Sequence, residues 1–179
     1  MFLLPRFALL EEILWVETNS KSVRERVVRR GRFALITPFL DKYEIGKEEA
    51  LPPYLCIVRY GFNRRQYAQE ILTSLDGTSF QAAPFDRLLD LCRAYPKRQF
   101  GYRIAFLGTP WHLGPMVGMT GYPCLRETAD GARIIGSTLD CNRFSAEWRV
   151  ALQPRSIHAV EEFLQPEATW ARRLLAAST

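Results

Sequence analysis

The chain has 179 residues, of which 47% are hydrophobic and 24% charged, and a formal net charge of +5. That length supports one buried core, and that balance of apolar and charged residues excludes a disordered or low-complexity chain. The charge excess is local: Lys21, Arg24, Arg26, Arg29, Arg30 and Arg32 stand against the single acid Glu25, while bases and acids balance elsewhere, so this run marks a surface for an anionic partner.

In chain order, residues 7 to 17 read as a helix with Leu9, Leu10, Ile13 and Leu14 on its apolar side. Ser22 and Glu25 form a capping box, which predicts a helix from about Val23 to Arg30, ended by Gly31. On it Arg26, Arg29 and Arg30 share one side and Val23, Val27 and Val28 the other, with Arg24 inside the apolar sector. Residues 33 to 37 and 54 to 60 read as strands, and the near-continuous apolar run from Tyr54 to Tyr60 predicts cover on both faces. Gly61 and Asn63 open a helix with apolar Tyr67, Ile71, Leu72 and Leu75, stopped by Asp76-Gly77. A second helix starts at Pro84, carries the stripe Phe85, Leu88, Leu89 and Cys92, and ends at Tyr95-Pro96.

Gln99 to Leu107 reads as a strand, followed by a long Gly/Pro/aromatic connection from Gly108 to Pro123. Phe144 to Leu152 gives the clearest strand, with Phe144, Ala146, Trp148, Val150 and Leu152 on a buried face and Ser145, Glu147 and Arg149 on a wet one. Ala132 to Leu139 is expected to pair with it across the turn from Asp140 to Arg143, and two short helices separated by Pro166 close the chain. The pattern as a whole is α+β: a single globular domain over 1–179, with a mixed or antiparallel sheet packed against several short helices.

Cys56, Cys92, Cys124 and Cys141 are irregularly spaced, with no Cys-x-x-Cys pair and no run of histidines, which argues against a metal site or a disulfide framework. Free thiols among apolar neighbours fit a reducing, intracellular compartment such as the cytoplasm. No run is long enough to cross a membrane, and no glycine pattern matches a nucleotide-binding loop, so neither membrane insertion nor a cofactor is expected.

Arg64 and Arg65 fall where a helix begins, an unfavourable place for cations that a bound anion would relieve. Tyr95 to Arg103 partly resembles the RNP1 strand of RNA-recognition modules, with Arg98, Phe100, Gly101 and Tyr102 at matching positions; Gln99, Arg103 and Ala105 depart from it. Trp111 and His112 sit in the Gly/Pro connection, where His112 is the candidate base and Cys124 or Cys141 the matching nucleophile, without a surrounding hydrolase motif. His158 falls on an apolar helix face, where packing is its expected role, and the adjacent acids Glu11-Glu12, Glu48-Glu49 and Glu161-Glu162 are expected to point different ways into solvent.

The leading expectation is a non-catalytic binding or assembly protein that meets a protein partner, or a larger assembly, through Arg24, Arg26, Arg29 and Arg30 and the loop carrying Trp111. The second is a nucleic-acid binder using those arginines with Arg64, Arg65, Phe100 and Tyr102. The third is a small enzyme or ligand carrier with a pocket near His112.

Overall fold

In the computed structural model of the chain, which describes residues 5, 8–17, 33–36, 52–60, 66–112, 120–139, 143–158 and 160, nine strands form one sheet flanked by two helices. These are β1 (Ala8–Trp15), β2 (Phe33–Ile36), β3 (Tyr54–Tyr60), α1 (Ala68–Ser74), β4 (Phe80–Ala82), α2 (Phe85–Ala94), β5 (Arg103–Ala105), β6 (Trp111–His112), β7 (Thr120–Glu127), β8 (Arg133–Leu139) and β9 (Trp148–Pro154). The sheet runs β1-β3-β9-β5-β7-β8-β2, with β4 added against β9 and β6 against β7. It is mixed: β5 lies parallel to β9 and β2 parallel to β8, and the other pairs are antiparallel. The fold is α+β, and the several helices expected reduce to two among the described residues.

Alternation along β3 divides its side chains between two cores. Leu55 and Ile57 enter one with Leu14, Val16, Phe85, Leu88, Leu91 and Phe106, while Cys56, Val58 and Tyr60 enter the other with Ala68, Ile71, Leu75 and Phe80. Thus α2 covers one face of the sheet and α1 the opposite face, as the continuous apolar run at 54 to 60 requires. Each fully buried Leu or Ile contributes on the order of 1.5–3 kcal/mol by leaving water, so the paired cores, rather than the short helices, hold the domain.

Residues 8 to 15 form an edge strand, not a helix. A β-bulge between Leu10 and Glu12 inserts one residue into its pairing with β3. Ala8, Leu10 and Ile13 therefore pack with the α1-side core, and Leu14 and Val16 with the α2-side core. The bulge widens one two-residue step to three, which is why the leucines mimic helical spacing. Along this edge Leu9 is 40% and Trp15 52% exposed, and Trp15 meets Tyr54 edge-on at 5.0 Å.

The C-terminal strands also depart from expectation. β8 pairs with β7 and β2, not with β9. β9 starts at Trp148, after a turn, and sits centrally between β3 on one side and β5 with β4 on the other. Its second face is covered too: Ala151 and Gln153 are buried and Arg149 is partly so. The strand expected over 99 to 107 shortens to β5, and the connection from 108 to 123 contains β6 and the first half of β7. Pro123 and Gly121 disguise β7 because they usually punctuate strands; here the Pro123 carbonyl accepts from the Phe106 amide at 2.9 Å.

One glycine permits the close approach of the chain just past β5 to the link between β4 and α2. The Gly108 amide donates to the Ala83 carbonyl at 3.0 Å, and a Cβ on Gly108 would lie 2.4 Å from the Ala82 oxygen and 2.8 Å from the Pro84 nitrogen. These are backbone atoms with no side-chain escape, so Gly108→Ala is expected to cost about 2 kcal/mol, read as a lower urea midpoint at unchanged slope.

Candidate functional site

The most concentrated polar chemistry among the described residues is a network on the α2 side of the sheet, built by the bulge in β1. A bulge lets successive side chains share a face, and Glu11 and Glu12 do so instead of pointing apart into solvent. Glu11 Oε1 lies 3.2 Å from Arg59 Nε on β3, and its second oxygen pairs with Arg149 Nε on β9. Arg98 donates to Glu12 Oε2 at 2.5 Å, and the Tyr102 hydroxyl donates to Glu12 Oε1 at 2.9 Å. Burial, then the hydrogen bond to Glu12, pushes the Tyr102 hydroxyl well above the usual tyrosine range.

Guanidiniums and rings interleave in the same network. Arg98 Cζ sits 5.0 Å from the Phe100 ring centre and 5.6 Å from that of Tyr95, and Arg149 Cζ sits 4.8 Å from Tyr102. Three cations against two carboxylates leave one positive charge in excess. All four carboxylate oxygens are engaged, so the acids act as ties from the edge strand to β3, β9 and the turn at 98 to 102, rather than as bases.

The same use of arginine recurs around α2. Arg87 is inaccessible to solvent, pairs with Asp90 at 3.2 Å and donates to the carbonyls of Val16 at 3.0 Å and Pro52 at 3.3 Å. Burial lowers its pKa, partly opposed by Asp90. Arg93 donates to the Glu17 carbonyl at 2.7 Å, and Arg133 to the carbonyls of Tyr95 at 3.0 Å and Pro96 at 2.7 Å. A weakly hydrated planar fork with five donors suits this task, whereas a lysine would offer three donors on a single, strongly hydrated nitrogen. Among the described residues, then, much of the chain's arginine ties its own backbone.

Of the residues singled out from sequence, Arg24, Arg26, Arg29, Arg30, Arg64, Arg65, Cys141 and the helices expected after 160 lie outside the described residues. The helix that Arg64 and Arg65 were expected to open begins later, at Ala68, so both precede its first turn. The acid Glu70 occupies that turn instead and accepts from the Tyr67 amide at 3.0 Å. Phe100 is 8% exposed and packs in the α2-side core, which leaves no open face on which a base could stack as RNA-recognition strands require. Tyr102 belongs to the Glu12 network and carries Arg149 over its ring.

Trp111 and His112 form β6, whose backbone pairs with Gly121 and Thr120 of β7; their side chains lie outside the description. Cys124 is four residues beyond Thr120, roughly 13 Å along the strand. It is fully buried, and burial pushes its thiol to about 11, with Arg126 pulling weakly the other way. A shielded thiol that is protonated at neutral pH is a poor nucleophile. His158 is exposed instead of packed, its amide donating to the Ser156 hydroxyl at 3.2 Å.

Two open clefts flank the β7–β8 turn. One of about 330 Å³ lies between Lys97, Arg98, Asp130 and Arg133, and another of about 400 Å³ between Tyr102, Arg103, Glu127 and Glu147. In the second, Glu127 already accepts from the amides of Phe100 at 2.6 Å and Gly101 at 3.1 Å. No group of three or more metal-ligating side chains occurs among the described residues, and no helix among them is long and apolar enough to cross a membrane.

The arginine network could have been anticipated only in part. The adjacency of Glu11 and Glu12 inside an apolar run was a signal for a bulge, but their partners lie far away in sequence, 138 residues on for Arg149 and 86 for Arg98. No protein-family model, no curated protein and no solved structure matches this chain.

Proposed function

We propose that the chain is a non-catalytic binding or assembly protein whose basic run at 21–32 meets an anionic surface of a macromolecular partner. The observation that carries this reading is the contrast between the run and the body. The run holds the whole charge excess, six bases against one acid, whereas in the body Arg59, Arg87, Arg93, Arg98, Arg133 and Arg149 are engaged with neighbouring carboxylates or backbone carbonyls. A protein partner is favoured over nucleic acid because the Phe100 ring lies in the core and Tyr102 is tied to Glu12. The reading includes an intracellular, reducing location, supported by the free, buried thiols of Cys56, Cys92 and Cys124.

The test compares the wild-type chain with an R26E/R29E/R30E variant by copurification and gel filtration, beside anisotropy against labelled single-stranded RNA and duplex DNA at two salt concentrations. Expected is a protein retained by the wild type and lost by the variant, with unchanged thermal unfolding. A monomer that loses nothing on charge reversal overturns the reading. Tight RNA or DNA binding whose log affinity falls by roughly 0.7–0.9 per phosphate contact per decade of salt would replace it with nucleic-acid recognition.

A further inference from the structure

The geometry points to the cleft between the turn after α2 and the β7–β8 turn as a binding site for a small phosphate monoester, independent of the basic run. The cleft, of about 330 Å³, has Lys97, Arg98 and Gln99 on one wall and Asp130, Gly131 and Arg133 on the other. Its two walls are fastened together at both ends. At one end the Arg133 guanidinium donates to the carbonyls of Tyr95 at 3.0 Å and Pro96 at 2.7 Å. At the other, the Glu127 carboxylate accepts from the amides of Phe100 at 2.6 Å and Gly101 at 3.1 Å. Residues 97 to 99 are thus a strap pinned to the hairpin before and after, and the cleft is the space left between them.

Each of the three strap side chains brings hydrogen-bond donors to the cleft. Arg98 spends one nitrogen on Glu12 at 2.5 Å, and its Cζ lies 5.0 Å from the Phe100 ring centre and 5.6 Å from that of Tyr95. The guanidinium is therefore held in place with donors left over. The side chains of Lys97 and Gln99 are exposed and have no polar partner among the described residues. Gly131, at φ +78°, lets the Gln99 amide lie against the opposite turn, because a Cβ there would collide with Gln99 Nε2. Arg133, 5% exposed, adds a fixed cation to that wall.

Three cations and one acid line the cleft, and the acid is committed to its own turn. The Thr128 hydroxyl donates to Asp130, and this bond, then the Asp130 amide, holds the carboxyl below its usual range. A phosphate monoester presents three terminal oxygens and a charge of roughly −1.5 to −2 at neutral pH. That matches donors supplied by an ammonium, a guanidinium fork and an amide, whereas a carboxylate offers two oxygens and a single charge. The volume is near the lower end of the roughly 300–1,000 Å³ of small-ligand sites. No aromatic ring among the described residues lines the cleft to stack a nucleobase.

The full-length chain, K97A, D130N and the control R155A are titrated at constant ionic strength with inorganic phosphate, glycerol 3-phosphate, acetate and a phosphoserine decapeptide, and followed by amide proton–nitrogen NMR spectra. R155A removes the same charge as K97A from a residue that contacts the Gln81 side chain and not the cleft. Expected are saturable shifts at the amides of Lys97 to Gln99 and of Gly131 with both small phosphates. K97A should weaken that binding roughly two- to fivefold more than R155A does, and D130N should strengthen it by a similar factor, the range for single exposed charges. No saturable shift with either phosphate, or equal affinities for K97A and R155A, overturns the site. Acetate that binds as tightly as phosphate overturns the phosphate assignment, and a peptide that binds more tightly than glycerol 3-phosphate overturns the small-ligand one.

Discussion

Replacing Arg87 with methionine is expected to destabilise the chain by about 3–5 kcal/mol, because it takes from the buried carboxylate of Asp90 the guanidinium 3.2 Å away. Arg87 and Asp90 are 0% and 2% exposed, so solvent cannot substitute for the lost partner. The methionine also withdraws the guanidinium from the carbonyls of Val16 and Pro52, and buried acceptors without donors add to the loss. Urea unfolding followed by far-UV circular dichroism measures it. The double variant R87M/D90L, which removes both charges and keeps volume, should recover much of the deficit, since buried pairs are often replaceable by apolar side chains. A single variant within about 1 kcal/mol of wild type would mean that Arg87 does not hold β1 to α2.

Alkaline pH is the second condition to which the fold is expected to be unusually sensitive. Burial pushes the thiols of Cys56 and Cys92 to about 12 and that of Cys124 to about 11, and the Tyr60 hydroxyl to about 12. In the unfolded chain a thiol ionises near its ordinary value of about 8.5. Between these limits the unfolded state has released protons that the native state retains, so stability is intact below the unfolded value and falls as pH rises toward the folded ones. Three thiols acting together give a slope of up to about 4 kcal/mol per pH unit, enough to unfold a domain of ordinary stability before pH reaches about 11. Urea midpoints measured from pH 7.5 to 10.5 check this. A flat profile would show that these thiols reach solvent in the native state, and substitution of Cys124 by alanine should flatten the slope by about a third.

What the sequence disclosed depended on the range of the interactions involved. β3 and α2 were legible because their signals are local: five apolar or aromatic positions in succession from Tyr54 to Val58, resumed at Tyr60, and a stripe at helical spacing between Pro84 and Tyr95. β1 was misread because its bulge imitates helical periodicity over Leu9, Leu10, Ile13 and Leu14. The pairing of β8 with β7 was not legible, since a short turn between 139 and 144 favours a hairpin that the sheet rejects in placing β5 beside β9. In the polar network, the acids were visible but not their function. Glu11 and Glu12 acquire their arginines from β3, β9 and the turn after α2, and no spacing rule connects these positions. Phe100 and Tyr102 looked like a recognition surface because aromatic rings interleaved with bases have the same composition whether they bind a ligand or pack against their own arginines.

The central position of β9 has a consequence for how the protein is made. β3 and β5 are joined through β9, the last of the described strands to leave the ribosome. Until residues 148 to 154 are available, each presents an unsatisfied edge, and the two halves of the sheet have no shared member. Joining the two parts of the sheet must therefore wait for β9, and a nascent polypeptide cut short before it carries two unpaired strand edges. Holdase chaperones, which bind such margins, would find their main substrate in the interval before β9 is released.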